Sequence, residues 1–247
     1  MTPEVAASRI AAATYVEVRE WLRENDSDAP ELFRWSVEDC IPASDSEILA
    51  QEVVWVILCA GRSAQSARTI ESKVWAAIEA GTPVVKAFGY RAKAAAIERV
   101  WREREEYFAG YLAAAAEGPQ VLLDFFRSIP FVGEVTQYQL AKNLGAPVPK
   151  PDIWLCRLAG VPDHPSTRVP VRFEACAALC GALSRATGDS VALVDSVLWL
   201  ACNKGVLTVD PDAGPISFTR RANARSSIYA PHANGVDTDS PRESLNP

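Results

Sequence analysis

The chain has 247 residues, 49% hydrophobic and 23% charged, an ordinary composition for a globular core in one large or two small domains. A net charge of −6 speaks against indiscriminate nucleic-acid binding, which needs positive potential. It leaves room for a local basic face, because Lys86, Arg91, Lys93, Arg99, Arg102 and Arg104 crowd one segment. Apolar runs such as "VVWVILCAG" and "YLAAAA" fall short of the roughly 20 residues of a membrane span. The start "MTPEVAASRIAAA" lacks the basic-then-apolar layout of a signal peptide, so a cytoplasmic protein without a membrane partner is expected.

The text reads as a succession of helices. "EVAASRIAAATYVEVREWLREN" carries apolar residues at intervals of three and four until "DSDAP" stops it. "SDSEILAQEVVWVILCAG" offers Ser44, Asp45 or Ser46 as N-cap and Gly61 as stop, and its apolar middle predicts a buried central helix. A further helix spans Ser63 to Gly81, and a long one runs from about Tyr90 to Glu117 and ends at "GP". Residues 119–128, 134–144, 152–159, 170–187 and 190–204 complete the set, and "GVLTVDPDAGPISFT" predicts one hairpin. The last segment, 221–247, is polar and without period, and reads as a flexible tail.

Six cysteines sit mostly in apolar helical text and read as reduced core thiols. Cys176 and Cys180 share a helical face, but no second short-spaced Cys or His pair would complete four ligands, so no metal and no cofactor are expected. His164 and His232 fall in a loop and in the tail and read as solvated.

Residues 129–160, "IPFVGEVTQYQLAKNLGAPVPKPDIWLCRLAG", are the most informative stretch. A helix ending near Ser128, the turn "IPFVG" and a second helix from Glu134 make a helix-hairpin-helix. Such a turn aims backbone N–H groups outward at the start of its second helix, a seat for phosphate. Val132, Gly133, Glu134 and Val135 are the candidates for that phosphate contact; the same turn also serves as plain helix punctuation. Asp152 follows "PVPKP" at the mouth of the helix "IWLCRLAG", where a carboxylate can cap the helix or do chemistry.

The hairpin "IPFVG", then Lys150-Pro151-Asp152, then "IWLCRLAG" resemble the helix-hairpin-helix (HhH-GPD) DNA glycosylases, the superfamily of endonuclease III and the bacterial 3-methyladenine glycosylases. The flanks "EILAQEVVWVILCAGRSAQSARTIESKVW" and "GDSVALVDSVLWLACNKG" are similar to the family's early helix pair and late helix. The resemblance implies an all-α fold of two helical lobes flanking a cleft. Residues 1–43 would be the N-terminal helix of the second lobe, 44–159 the central lobe with the hairpin, and 160–220 the helices completing the second lobe.

It further implies a monomeric enzyme that hydrolyses the N-glycosidic bond of a damaged or modified base in double-stranded DNA. Asp152 would be the catalytic carboxylate and Arg62, where relatives insert a side chain, the wedge that fills the gap left by a flipped base. Lyase-competent relatives carry a lysine where this chain has Val135, so water would be the nucleophile; Lys142 and Lys150 are the nearest amines. Phe131 replaces the hairpin's usual first glycine, and the relatives' compact run of four cluster-binding cysteines is missing. Trp55, Tyr138, Trp154 and Gln137 are candidates for a base pocket, with Trp199, Gln51, Glu52 and Gln139 also available. Two other readings stay open: a catalytically silent DNA-binding module, and an enzyme acting on deliberately modified bases in DNA modification or defence.

Overall fold

A computed structural model describes residues 3–162, 166–210 and 212–221. His164, His232 and the proposed tail from residue 222 onward lie outside the described residues. Among the described residues 67% are helical and the sheet has two strands, so the fold is all-α. No helix among the described residues is long and apolar enough to cross a membrane.

The first predicted helix is two, α1 (Pro3–Ala7) and α2 (Ala12–Asn25). Between them Arg9 reaches out, donating from Nε to the Leu158 carbonyl at 3.0 Å and from Nη2 to the Gly214 carbonyl at 2.7 Å. α3 (Ala29–Glu38) is a helix that the sequence analysis missed. The "DSDAP" read as a stop is also a start, because Pro30 stands in the first turn, where its missing N–H costs nothing.

α4 (Ser46–Cys59) is the buried central helix expected, with Leu49, Val53, Val56 and Ile57 fully enclosed. Burying each such side chain contributes roughly 1.5–3 kcal/mol. α5 (Ala64–Glu79) follows, and a single 3-10 turn at Val84–Lys86 leads to α6 (Arg91–Arg102) and α7 (Arg104–Glu117). The expected single helix from Tyr90 to Glu117 breaks at Glu103, whose carboxylate is gripped by Arg99 and Arg102. α8 (Pro119–Ser128), α9 (Thr136–Asn143), α10 (Ile153–Leu158), α11 (Val169–Thr187) and α12 (Val191–Lys204) complete the helices. The predicted hairpin is present, β1 (Leu207–Val209) antiparallel to β2 (Ile216–Phe218), with Leu207 opposite Phe218.

Two hydrophobic cores form. One gathers apolar residues of α4 to α9, among them Leu49, Ile57, Ile97, Phe126 and Leu140. The other gathers those of α1 to α3, α10 to α12 and β1, among them Tyr15, Leu22, Leu158, Leu179 and Leu198. The chain passes from one core to the other between Val148 and Leu155, so α10 packs with the N-terminal and C-terminal helices, whereas the sequence analysis had kept it in the central lobe up to residue 159. Cys176 and Cys180 are buried in the second of these cores, with the Cys176 and Cys156 sulfurs 3.9 Å apart.

Candidate functional site

A cavity of about 890 Å³ opens between the two cores. α3 contributes Glu31 and Trp35; α4 contributes Gln51, Glu52 and Trp55; α9 contributes Gln139, Lys142 and Asn143; α12 contributes Asp195, Ser196 and Trp199. Lys150 and Asp152 come from the connection that joins the cores, and Arg62 and Arg68 from the start of the α4–α5 region and α5 itself.

Asp152 is the N-cap of α10: Oδ1 accepts from the backbone N–H of Trp154 and of Leu155, each at 3.0 Å. Oδ2 makes no hydrogen bond to a described residue. Two N–H donors ordinarily hold a carboxyl below its usual range. Here burial outweighs them and raises its proton affinity, with the like charge of Asp195 adding to the rise and the Lys150 and Leu155 N–H interactions opposing it. A carboxylate kept in a desolvated cleft bears a penalty that an exposed cap avoids, and this marks Asp152 as the candidate of the site.

Asp195, unremarked in the sequence analysis, is 4% exposed in the middle of α12. Its Oδ1 accepts from Lys142 Nζ at 2.6 Å and its Oδ2 from the Lys150 backbone N–H at 2.6 Å. The available signal was a lone carboxylate inside the apolar run "VALVDSVLWLA", where an isolated charge demands a partner. Glu52, also in the lining, is largely desolvated too. Burial raises its proton affinity, against a 2.9 Å hydrogen bond from Asn143 Nδ2. Burial likewise pushes the nearby Cys59 thiol up to about 12, so it is not a thiolate nucleophile at neutral pH.

Arg62 lines the cavity, its guanidinium 4.9 Å from the Phe88 ring centroid. Trp55 is in the wall, covered on one face by the Arg68 guanidinium at 4.3 Å. Three expected pocket residues are elsewhere. Tyr138 is buried and stacked on Phe173 at 4.3 Å, and Gln137 folds back to donate to the Glu134 carbonyl at 2.9 Å. Trp154 packs against the core of α10 to α12, with Arg157 over its ring. The reason is helical phase: on α9 the residues at 139, 142 and 143 share the face toward the cavity, and 137 and 138 point away from it.

The turn between α8 and α9 is a tight hairpin of helices. Val132 donates to the Ile129 carbonyl at 3.0 Å, and Gly133 to Thr136 Oγ1 at 2.7 Å. Two of the four expected phosphate-binding amides are thus engaged within the turn. Those of Glu134 and Val135 have no acceptor among the described residues, while the Glu134 side chain pairs with Arg127 at 2.7 Å. Phe131 adopts φ 65°, the left-handed region that favours glycine, and its ring lies edge-on to Tyr90 with centroids 6.2 Å apart.

Among the described residues no group of three or more His, Cys, Asp or Glu side chains could hold a metal ion. Comparison of the chain with protein-family models, with curated proteins and with solved structures found no match.

Proposed function

We propose that the chain has the helix-hairpin-helix glycosylase fold and is a monofunctional DNA N-glycosylase, releasing a damaged or modified base from duplex DNA by water attack. The observation that carries this reading is Asp152: a carboxylate whose proton affinity is raised by burial, facing a cavity wide enough for a nucleotide and preceded in the chain by the α8–α9 hairpin.

The chemistry follows from what such a group does. As the C1′–N bond lengthens, its electron pair leaves with the base and positive charge grows on the deoxyribose; an adjacent carboxylate stabilises that charge. A water oxygen then bonds to C1′, giving up its proton to Asp152 or to solvent, and the base takes up a proton to leave neutral. To expose C1′ the nucleotide must leave the duplex, which costs roughly a few kcal/mol. Trp55 and Trp199 offer flat surfaces for the extruded base, Gln51, Glu52 and Gln139 offer hydrogen bonds, and Arg62 in the cavity lining is the side chain to fill the vacated space. The free amides of Glu134 and Val135 would hold a backbone phosphate at the hairpin.

Abasic-site formation, measured on duplex oligonucleotides carrying a panel of lesions and of enzymatically modified bases, tests the reading. Release of one base class by the parent protein and none by Asp152→Asn supports it. Duplex binding with no base released from any substrate would instead favour a silent binding module. Preference for a modified base over lesions would point to DNA modification or defence instead of repair.

A further inference from the structure

The Lys142–Asp195 pair has no counterpart in the mechanism above, yet it occupies the wall of the same cavity. Its members belong to different cores: Lys142 sits on α9, whose apolar face packs with α4, and Asp195 on α12, which packs with α10 and α11. Both are less than a tenth exposed. A buried ion pair is a poor device for stability alone, because well-packed apolar residues of similar volume usually do as well or better. Asp195 also does something an apolar residue cannot do. Its second oxygen takes the backbone N–H of Lys150 at 2.6 Å, fixing the peptide two residues ahead of Asp152, at the point where the chain crosses between cores.

From this geometry we infer that Asp195 is a positioning residue for Asp152. Through one carboxylate it ties α9, α12 and the Lys150 peptide together, so that Asp152 enters the cavity with Oδ1 on the α10 amides and Oδ2 free toward substrate. Lys142 is the counter-charge beside Asp195: burial works against the lysine's charge, and the Asp195 carboxylate outweighs it and raises the lysine's proton affinity. The charged and titratable groups that act on Asp152 are Lys142 from α9, Lys150 from the connection, Asp195 and Cys202 from α12, and Cys176 and Cys180 from α11. Asp195 is the carboxylate among these, and its like charge raises Asp152, so its removal changes the surroundings of Asp152 more than loss of a thiol.

The catalytic part of this inference rests on the glycosylase reading; the positioning part does not, and the experiment separates them. On the full-length protein, the Asp152 carboxyl is titrated by carbon-13 NMR and the Lys150 amide followed by hydrogen exchange, in the parent, in Asp195→Asn and in the charge-balanced double variant Lys142→Met, Asp195→Leu. Asp195→Asn should move the Asp152 midpoint down, since a like charge is lost and Lys142 stays, with the Lys150 amide still protected by the Asn oxygen. The double variant should keep its fold and speed exchange at Lys150 by about tenfold or more. Should Asp195→Asn fail to fold, the double variant still decides. An Asp152 midpoint and a Lys150 exchange rate equal to the parent's in the variants that fold would overturn the inference. Where the panel yields a substrate, the double variant should cut the single-turnover rate by about tenfold or more with duplex affinity retained; an unchanged rate would overturn the catalytic part. Where the panel yields none, the glycosylase reading falls and the titration and exchange results stand by themselves.

Discussion

Asp45 and Asp152 cap their helices alike and titrate in opposite directions. Asp45 Oδ1 accepts from the Ile48 N–H at 2.9 Å, and that bond holds the exposed carboxyl below the usual range. Asp152 accepts two such bonds, yet burial raises it. Asn caps a helix about as well as Asp. Asp152→Asn should therefore fold with a stability within about 1 kcal/mol of the parent at pH 7, or above it, and lose roughly 10²-fold or more in base release. Thermal unfolding and single-turnover abasic-site formation check the two halves. Full activity in the variant would remove the catalytic role.

The pH dependence has a definite sign. With its folded-state value above the ordinary 3.8, Asp152 holds its proton longer folded than unfolded, so its contribution to stability declines as pH rises from 3.8 through the folded value and stays unfavourable above it. The stability difference between Asp152→Asn and the parent should grow over that interval and then level off. Denaturant unfolding at pH steps from 3.5 to 8 would measure it; a difference that shrinks as pH rises would mean that the carboxylate is a stabilising cap.

Lys142 is spoken for by Asp195 and stays protonated, so it is no amine nucleophile. The product should be an intact abasic site, cut only by alkali or a separate endonuclease, and borohydride should trap no covalent complex. Efficient trapping that disappears in Lys150→Ala would assign a lyase role to the remaining amine of the cavity.

At the hairpin, Val135→Pro removes an N–H that has no acceptor within the described structure. If that amide seats a phosphate, duplex affinity should fall about tenfold, the worth of one charge-assisted hydrogen bond. Arg220→Ala, which removes an exposed cation already paired with Glu17, should change affinity little. Filter binding across a salt series checks both, and the slope should be shallow, as suits few neutralised phosphates. The reverse ranking of the two variants would make the turn mere punctuation.

Phe131→Gly exchanges two effects of similar size. The left-handed backbone costs a non-glycine residue about 1–2 kcal/mol, and the ring contact with Tyr90 contributes about 0.5–1.5 kcal/mol. Stability should stay within about 1 kcal/mol of the parent. Duplex affinity should rise, because a half-exposed ring leaves the surface beside the free amides. Weaker binding would show that the ring itself meets DNA, and unchanged binding that it neither meets nor obstructs it.

Much of the local structure was legible in the sequence, because helix signals are short-range. Spacings of three and four, Asp45 and Ser190 as caps, and Gly188 and Gly205 in left-handed stops act within a turn or two of chain. The candidacy of Asp152 rested on the same kind of local punctuation. What the sequence left open was decided by packing. The breaks at Arg9 and Glu103 depend on partners that those residues find, α3 depended on "DSDAP" serving two helices, and α10 joined the other core because Leu155, Cys156 and Leu158 face it. A helix written as text has no front. Only tertiary contact turned Gln139, Lys142 and Asn143 toward the cavity and sent Gln137 and Tyr138 away from it, and only tertiary contact brought Asp195 to Lys142 and to the Lys150 amide, since a hydrogen bond between distant segments leaves no period in the sequence.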